Sequence, residues 1–124
     1  MCYFMDIETF RNYCLSKKGV TEEFPFGPDA LVFKVMGKMF ALAGLDEVPL
    51  SVNLKCDPDR ALELRDTYGS HILPGYHMSK KHWNSLILDG YLEKKLVLEL
   101  TDHSYELVVQ GLSKKQQQEL ENLE

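Results

Sequence analysis

The segment Leu31–Ala43, LVFKVMGKMFALA, decides the fold class because it has the pattern of two strands joined by a tight turn. Two apolar runs flank Gly37 and Lys38, and a two-residue loop with glycine first is typical of a type II′ turn. Closing the hairpin at that loop places Phe33 opposite Leu42 on one face. The segment therefore predicts an antiparallel β-hairpin.

The opposite face of this hairpin is expected to carry Lys34 beside Ala41. A third strand follows at Leu50–Cys56, in which every second residue is apolar and points inward. The outward residues of that strand are Ser51, Asn53 and Lys55. We therefore expect the outer face of the sheet to be partly polar, partly small and partly basic.

Capping residues and periodicity predict helices before and after these strands along the chain. The signals are Asp6, Asp57 with Pro58, the stretch from about Leu92 to Gln110, and Ser113 with Gln116 in the polar tail 113–124. A further strand is predicted at Trp83–Leu88, with Tyr76–Met78 as a hairpin partner. Hairpins without βαβ crossovers indicate a single α+β domain, a two-layer sandwich of an antiparallel sheet with helices on one face.

The composition is that of one globular domain. The chain has 124 residues, 44% of them hydrophobic, and a net charge of −5, which excludes a basic protein that coats nucleic acid or anionic membrane. Three widely spaced cysteines without a C-x-x-C pair are typical of a reduced protein. No signal-peptide pattern and no apolar stretch of roughly 20 residues is present. We expect a cytoplasmic monomer that binds no membrane.

Enzyme motifs are absent from the sequence. There is no G-x-S-x-G elbow, no P-loop, no G-x-G-x-x-G after a strand and no H-E-x-x-H. Glu22 and Glu23 form a carboxylate pair, but charge runs of this kind are usually solvated surface. We therefore expect no catalytic residues, no cofactor and no enzymatic activity.

Histidines offer no convincing metal site. His77 and His82 flank Lys80 and Lys81, no cysteine or carboxylate stands at ligand spacing, and two lysines repel a dication. His103 falls on the apolar stripe of the last long helix, where a lone histidine is usually a hydrogen-bonded core residue. We expect no bound metal.

The segment 76–84, YHMSKKHWN, interleaves basic residues with Tyr76 and Trp83. Basic side chains that contact phosphates and aromatic rings that stack on bases are the usual means of binding nucleic acid. An alternative is a polar connection in which the two aromatic side chains cover the edge of the core.

Several motifs together resemble the MmcQ/YjbR family of small bacterial proteins. They are the run Gly75–Asn84 with Leu88-Asp89-Gly90 after it, Glu23–Gly27, Val32–Val35 with Gly37-Lys38, and Asp102–Tyr105. The resemblance extends from about Met5 to Gln118. It implies a CyaY-like (frataxin-like) fold, also described as a double-wing fold and proposed to bind DNA.

One departure bears on function. Iron handling in frataxin-like proteins relies on an acidic ridge along the first helix, whereas here Asp6 and Glu8 are followed by Arg11, Lys17 and Lys18. We therefore do not transfer the iron role to this chain.

Two hypotheses follow. In the first, the domain binds DNA weakly and in a salt-sensitive manner, through lysines on phosphates and through side chains that stack or hydrogen-bond. These candidates are Lys34, Lys38, Lys55, Lys80 and Lys81, together with Tyr76, His77, Trp83 and Asn84. In the second, the domain docks a protein on its sheet face, with a footprint on Val32, Ala41 and Ala43, or along a strand edge.

Overall fold

Ten helices and strands make up the part of the chain that the structure describes, which is residues 6–47, 49–75 and 79–123 of a computed structural model. In chain order they are α1 (Ile7–Leu15), β1 (Val20–Glu23), β2 (Ala30–Val35), β3 (Lys38–Gly44), β4 (Ser51–Lys55), α2 (Pro58–Thr67), β5 (Ile72–Pro74), β6 (Trp83–Ile87), α3 (Lys94–Gln110) and α4 (Lys114–Glu121).

The six strands form one antiparallel sheet in the order β1-β2-β3-β4-β6-β5. The predicted α+β class with an antiparallel sheet is therefore confirmed. None of the helices within the described ranges is long and apolar enough to span a bilayer.

The four helices pack on the same face of the sheet, which we call the inner face. Each helix contributes side chains to one hydrophobic core, and every second residue of the central strands completes it. Helical members include Phe10, Cys14, Ala61, Leu64, Val97, Leu100, Val108 and Leu120, and sheet members include Leu31, Phe33, Ala41, Ala43, Val52, Leu54, Ile72 and Leu86. The two-layer sandwich predicted from the sequence is the observed architecture.

The β2–β3 turn lies one residue earlier than predicted. Val35 pairs with Lys38, so the two loop residues are Met36 and Gly37, with φ angles of 50° and 82°. Positive φ at both positions is the mark of a type I′ turn, whose twist matches that of the strands, and glycine takes the second position without strain. The expected type II′ turn at Gly37-Lys38 is wrong.

A register shift in β2–β3 follows this turn. The ladder passes from the pair of Lys34 with Met39 to the pair of Phe33 with Ala41, which leaves Phe40 as an extra residue. Phe33 therefore lies opposite Ala41 and not opposite Leu42, as predicted. Ala41 faces the core instead of the outer face.

The shift also removes the predicted protein-docking footprint. Ala41 and Ala43 are 0% exposed in the core, and Val32, although it lies on the outer face, is 0% exposed between its cross-strand neighbours. None of the three can contact a partner, so that part of the second hypothesis is corrected.

The predicted helix signals correspond to real caps. Asp6 Oδ1 accepts a hydrogen bond from Thr9 N, and Asp57 caps α2 with Pro58 at its start. Ser113 and Gln116 form the expected capping box of α4, which runs through the polar tail and buries Leu120.

Two strands lie outside the sequence prediction. β1 is an edge strand of the sheet and carries the Glu22-Glu23 pair. Its four residues lack the alternating apolar pattern that predicts a strand. β5 at Ile72–Pro74 pairs with β6. The predicted partner Tyr76–Met78 lies outside the described residues.

Candidate nucleic-acid interface

One end of the sheet collects most of the predicted basic residues. The β2–β3 turn, the last residue of β4 and the first residue of β6 all lie at this end because neighbouring strands are antiparallel. We call the group formed by Lys38, Lys55, Lys80, Lys81 and Trp83 the basic end. Four lysines that are scattered in the sequence are thus gathered at one end of the sheet.

Lys55 and Trp83 are direct cross-strand partners at this end. Their neighbours Leu54 and Asn84 face the core layer, so strand alternation turns Lys55 and Trp83 to the outer face. Opposed Cβ atoms in such a pair lie about 5 Å apart. An ammonium group and a half-buried indole ring therefore share one surface.

Within the part of the chain that the structure describes, no carboxylate forms an ion pair with a lysine of the basic end. None of the ion pairs formed within residues 6–47, 49–75 and 79–123 involves Lys38, Lys55, Lys80 or Lys81. The nearby Asp57 carboxylate instead accepts a hydrogen bond from Arg60 N at 3.2 Å as the cap of α2. The four ammonium groups remain available for an anionic ligand.

Lys34 differs from the other four candidate lysines. It lies on β2, and its Nζ atom is 3.4 Å from Glu23 Oε2. Part of its charge is therefore balanced within the sheet, and we place it at the periphery of the interface.

Asn84 lies on the inner face and not beside Trp83. It is 2% exposed, and its Oδ1 accepts a hydrogen bond of 2.6 Å from Arg65 Nε. No acceptor for its Nδ2 is found among the described residues. Its burial keeps the amide away from any ligand bound at Trp83.

Arg65 of α2 fixes the turn that carries Lys80 and Lys81. Its Nη2 donates to the carbonyl oxygen of Lys80 and, at 3.1 Å, to that of Trp83. The carbonyl of Ser79 closes the turn by accepting from His82 N and Trp83 N. Sequence reasoning missed Arg65, because nothing in the α2 sequence distinguishes it from a solvated arginine.

Gly75 lets the backbone after β5 pack closely against Trp83. A Cβ atom on Gly75 would lie 2.9 Å from Trp83 Cβ, and Gly75 N donates to Trp83 O at 2.9 Å. The other two predicted stacking residues, Tyr76 and His77, lie outside the described residues.

The carboxylate and metal alternatives gain no support from the geometry. Arg11 holds Glu22 through two hydrogen bonds of 2.7 and 2.5 Å, which lowers the pKa of Glu22. The ranges 6–47, 49–75 and 79–123 contain no group of three or more His, Cys, Asp or Glu residues placed to hold a metal ion.

His103 is hydrogen-bonded, as expected, but at the rim of the core. Its Nε2 accepts from Asp57 N at 3.2 Å, and partial burial lowers its pKa. Cys14 on α1 is fully buried, and burial raises the pKa of its thiol to about 12, so it behaves as a small apolar residue.

A polar cluster at the opposite end of the sheet has no signature in the sequence. His71 Nε2 lies 2.8 Å from Asp89 Oδ2, and Ser70 Oγ lies 2.7 Å from His71 Nδ1. The Tyr91 ring stacks on His71 with centroids 4.2 Å apart. A carboxylate only accepts, so His71 donates from Nε2 and the cluster ties the start of β5 to the turn after β6.

A cleft of about 340 Å³ borders this cluster. It lies between the end of α2 and the start of α3, and its lining residues are Tyr68, Tyr91, Glu93, Lys95, Leu96 and Glu99. Two carboxylates and one ammonium group among these residues do not favour an anionic ligand there.

Comparison with known proteins gives consistent matches. The family model described as YjbR matches residues 15–107. The Escherichia coli O157:H7 protein YbdF is 42% identical over 89% of this chain and 89% of its own length. YjbR of Escherichia coli K12 is 32% identical over 85% of this chain and 88% of its own. Both relatives are described as uncharacterized.

Solved structures agree with these matches. The crystal structure of a Deinococcus radiodurans protein with a DUF419 domain superposes with a TM-score of 0.88 at 39% identity, covering 94% of this chain and 88% of that one. A Pseudomonas syringae crystal structure gives a TM-score of 0.69 at 27% identity over 83% of this chain and 98% of its own. Sequence and fold together show that the chain belongs to the MmcQ/YjbR family.

Proposed function

We propose that this domain is a non-catalytic DNA-binding module that contacts its ligand through the basic end. The observation that carries the proposal is that Lys38, Lys55, Lys80 and Lys81, none ion-paired within the described residues, lie at the same end of the sheet as Trp83, the cross-strand partner of Lys55. Ammonium groups bind phosphates, and an aromatic ring on the same surface adds stacking.

The affinity is limited by the rest of the molecule. The net charge of −5 opposes approach to a polyanion, so attraction comes only from the local cluster. Four phosphate contacts predict a slope of about −3.6 for log K against log salt on a duplex. Binding is therefore weak and strongly salt-dependent.

A fluorescence-anisotropy titration with a labelled oligonucleotide at low salt tests the proposal. The double variant Lys80→Ala/Lys81→Ala removes two charges from the basic end. The control Lys114→Ala/Lys115→Ala removes the same charge from exposed positions on α4, in the helical layer. We expect weaker binding for the first variant only, and equal losses in both variants would contradict a local site.

A second candidate function is a protein-interaction domain, favoured by the opposite end of the sheet. Phe24 and Phe26 are 51% and 70% exposed in the β1–β2 loop, and Leu45 is 38% exposed after β3. The hydrogen bond of 2.8 Å from Leu45 N to Asp29 O joins the two loops. We call Phe24, Phe26 and Leu45 the apolar end.

Backbone amide shifts on addition of partner or DNA separate the two candidates. Shifts confined to the apolar end on addition of a protein, without any at Lys55 and Trp83 on addition of DNA, would favour protein interaction. The reverse pattern would favour DNA.

A further inference from the structure

We propose that the ligand of the basic end is a single strand of nucleic acid, laid across the outer face of the sheet, and not a duplex. This inference rests on the proposed function. It comes from what the outer face offers next to Lys55, namely an aromatic ring, an amide and an open strand surface.

The outer face has no helix over it within the described residues. The core that unites the four helices contains inner-face residues of the strands, and it does not include Val32, Leu42, Asn53, Ser85 or Trp83. These five belong to the alternate strand positions. Val32 and Ser85 are buried among their neighbours, whereas Leu42, Asn53 and Trp83 are partly exposed, so a chain-like ligand meets side chains of β3, β4 and β6 directly.

An amide lies one row above Trp83 and Lys55 on this face. Asn53 pairs with Ser85 across β4 and β6, and the Ser85 hydroxyl donates to Asn53 Oδ1. That bond fixes the amide orientation and assigns the two N–H donors to Nδ2. Because Asn53 is half-buried on the open face, its donors suit the acceptor atoms of an unpaired base.

The geometry of the strands sets the distance between the side chains that would contact successive nucleotides. Successive outer-face residues along one strand are about 6.6 Å apart, and neighbouring strands are about 4.8 Å apart. Trp83 and Asn53 lie on adjacent strands one row apart, so their separation of about 8 Å is comparable to the step between nucleotides in an extended strand. One base can therefore stack on Trp83 while the next base along the strand hydrogen-bonds to Asn53.

A duplex cannot use this surface in the same way. Paired bases are stacked on each other, so their faces are closed to Trp83, and a duplex would engage the lysines alone. The rigid turn held by Arg65 favours a preformed stacking position, since Trp83 O is fixed by Arg65 Nη2 at 3.1 Å and by Gly75 N at 2.9 Å.

The experiment compares a labelled 20-nucleotide oligothymidylate with a duplex of equal length at low salt, using the unmodified chain. Trp83 is the single tryptophan, so its fluorescence reports stacking without a label. We expect tighter binding of the single strand by about 10-fold, with quenching of Trp83 emission. The Trp83→Phe variant, which keeps an aromatic ring, should retain most of the affinity, whereas Trp83→Ala should lose about 10-fold.

The outcomes separate this inference from the proposed function. Equal or tighter duplex binding that still depends on Lys80 and Lys81 would overturn the single-strand assignment and leave DNA binding intact. Absence of binding to both oligonucleotides would overturn both. Single-strand binding without quenching, and with full affinity in Trp83→Ala, would also overturn the inference, because the lysines alone would then account for the affinity.

Discussion

The Ser104 hydroxyl on α3 donates a hydrogen bond of 2.5 Å to the carbonyl oxygen of Phe40 on β3. Ser104 Oγ in turn accepts a hydrogen bond of 2.9 Å from Lys55 N on β4. Phe40 is the extra residue of the β2–β3 register shift, and the paired part of β3–β4 ends at Ala41 and Leu54. A helix side chain thus bridges two strands where their ladder stops, directly behind Lys55 of the basic end.

Replacement of Ser104 by alanine should destabilise the fold by about 2–4 kcal/mol, because it leaves a buried carbonyl and a buried N–H without a partner. Urea denaturation measures the change as a lower midpoint at constant slope. The matched control Ser51→Ala, on the outer face of β4, should change stability by less than about 0.5 kcal/mol. Equal effects of the two variants would show that the bridge contributes nothing.

Replacement of Arg65 by methionine should loosen the turn that carries Lys80 and Lys81. It removes the donors to Asn84 Oδ1 and to two carbonyl oxygens, at a cost of about 1–3 kcal/mol. Amide hydrogen exchange should quicken at His82 and Trp83. Arg60→Met, which removes only an exposed ion pair with Glu99, should leave exchange in this turn unchanged.

Replacing Gly75 or Gly111 by alanine should change the stability of the fold differently, destabilising it at the first position but not at the second. Gly75→Ala places a methyl group 2.9 Å from Trp83 Cβ and 3.1 Å from Trp83 O, and overpacking of this kind costs about 1–3 kcal/mol. Gly111 has helical φ and ψ angles of −83° and −4°, and its added Cβ would meet nothing nearer than 3.5 Å. Gly111→Ala should therefore be neutral or stabilise by up to about 1 kcal/mol. Thermal unfolding of both variants checks the pair.

The Arg11–Glu22 pair should make stability fall in acid. Arg11 lowers the folded-state pKa of Glu22, so the stabilisation is fully present above the ordinary value of 4.5 and is lost as the pH falls through the lowered pKa. Glu22→Gln should flatten the dependence of the unfolding free energy on pH below 4.5. Arg11→Met should flatten it equally, and the double variant no further. A steeper acid loss in Glu22→Gln would contradict this account.

Charge and periodicity predicted the layers of the fold. The errors in the prediction concern the β2–β3 turn, the face occupied by Ala41 and strand β1, and each has a local cause. The turn position depends on whether Met36 adopts a positive φ, a choice between two adjacent two-residue loops that composition does not decide. The extra residue Phe40 then reverses which face Ala41 occupies. Strand β1 is not predicted from the sequence, because an edge strand with two glutamates lacks the alternating apolar pattern.

The candidate site was predictable in composition but not in arrangement. The four lysines and Trp83 come from three separate segments, and only the sheet order places them together. Asn84 follows Trp83 directly in the sequence, but adjacent strand residues face opposite sides of the sheet, so Asn84 is buried against Arg65 and not beside Trp83. Arg65 itself needed the tertiary contact to be recognised.

The distance between the basic end and the apolar end has an electrostatic consequence. Strand β4 joins the two ends, and its five residues span about 13 Å at 3.3 Å per residue. That exceeds the Debye length of about 8 Å at physiological ionic strength. Counter-ions therefore shield each end from the other, so occupation of one end leaves the electrostatic potential at the other nearly unchanged.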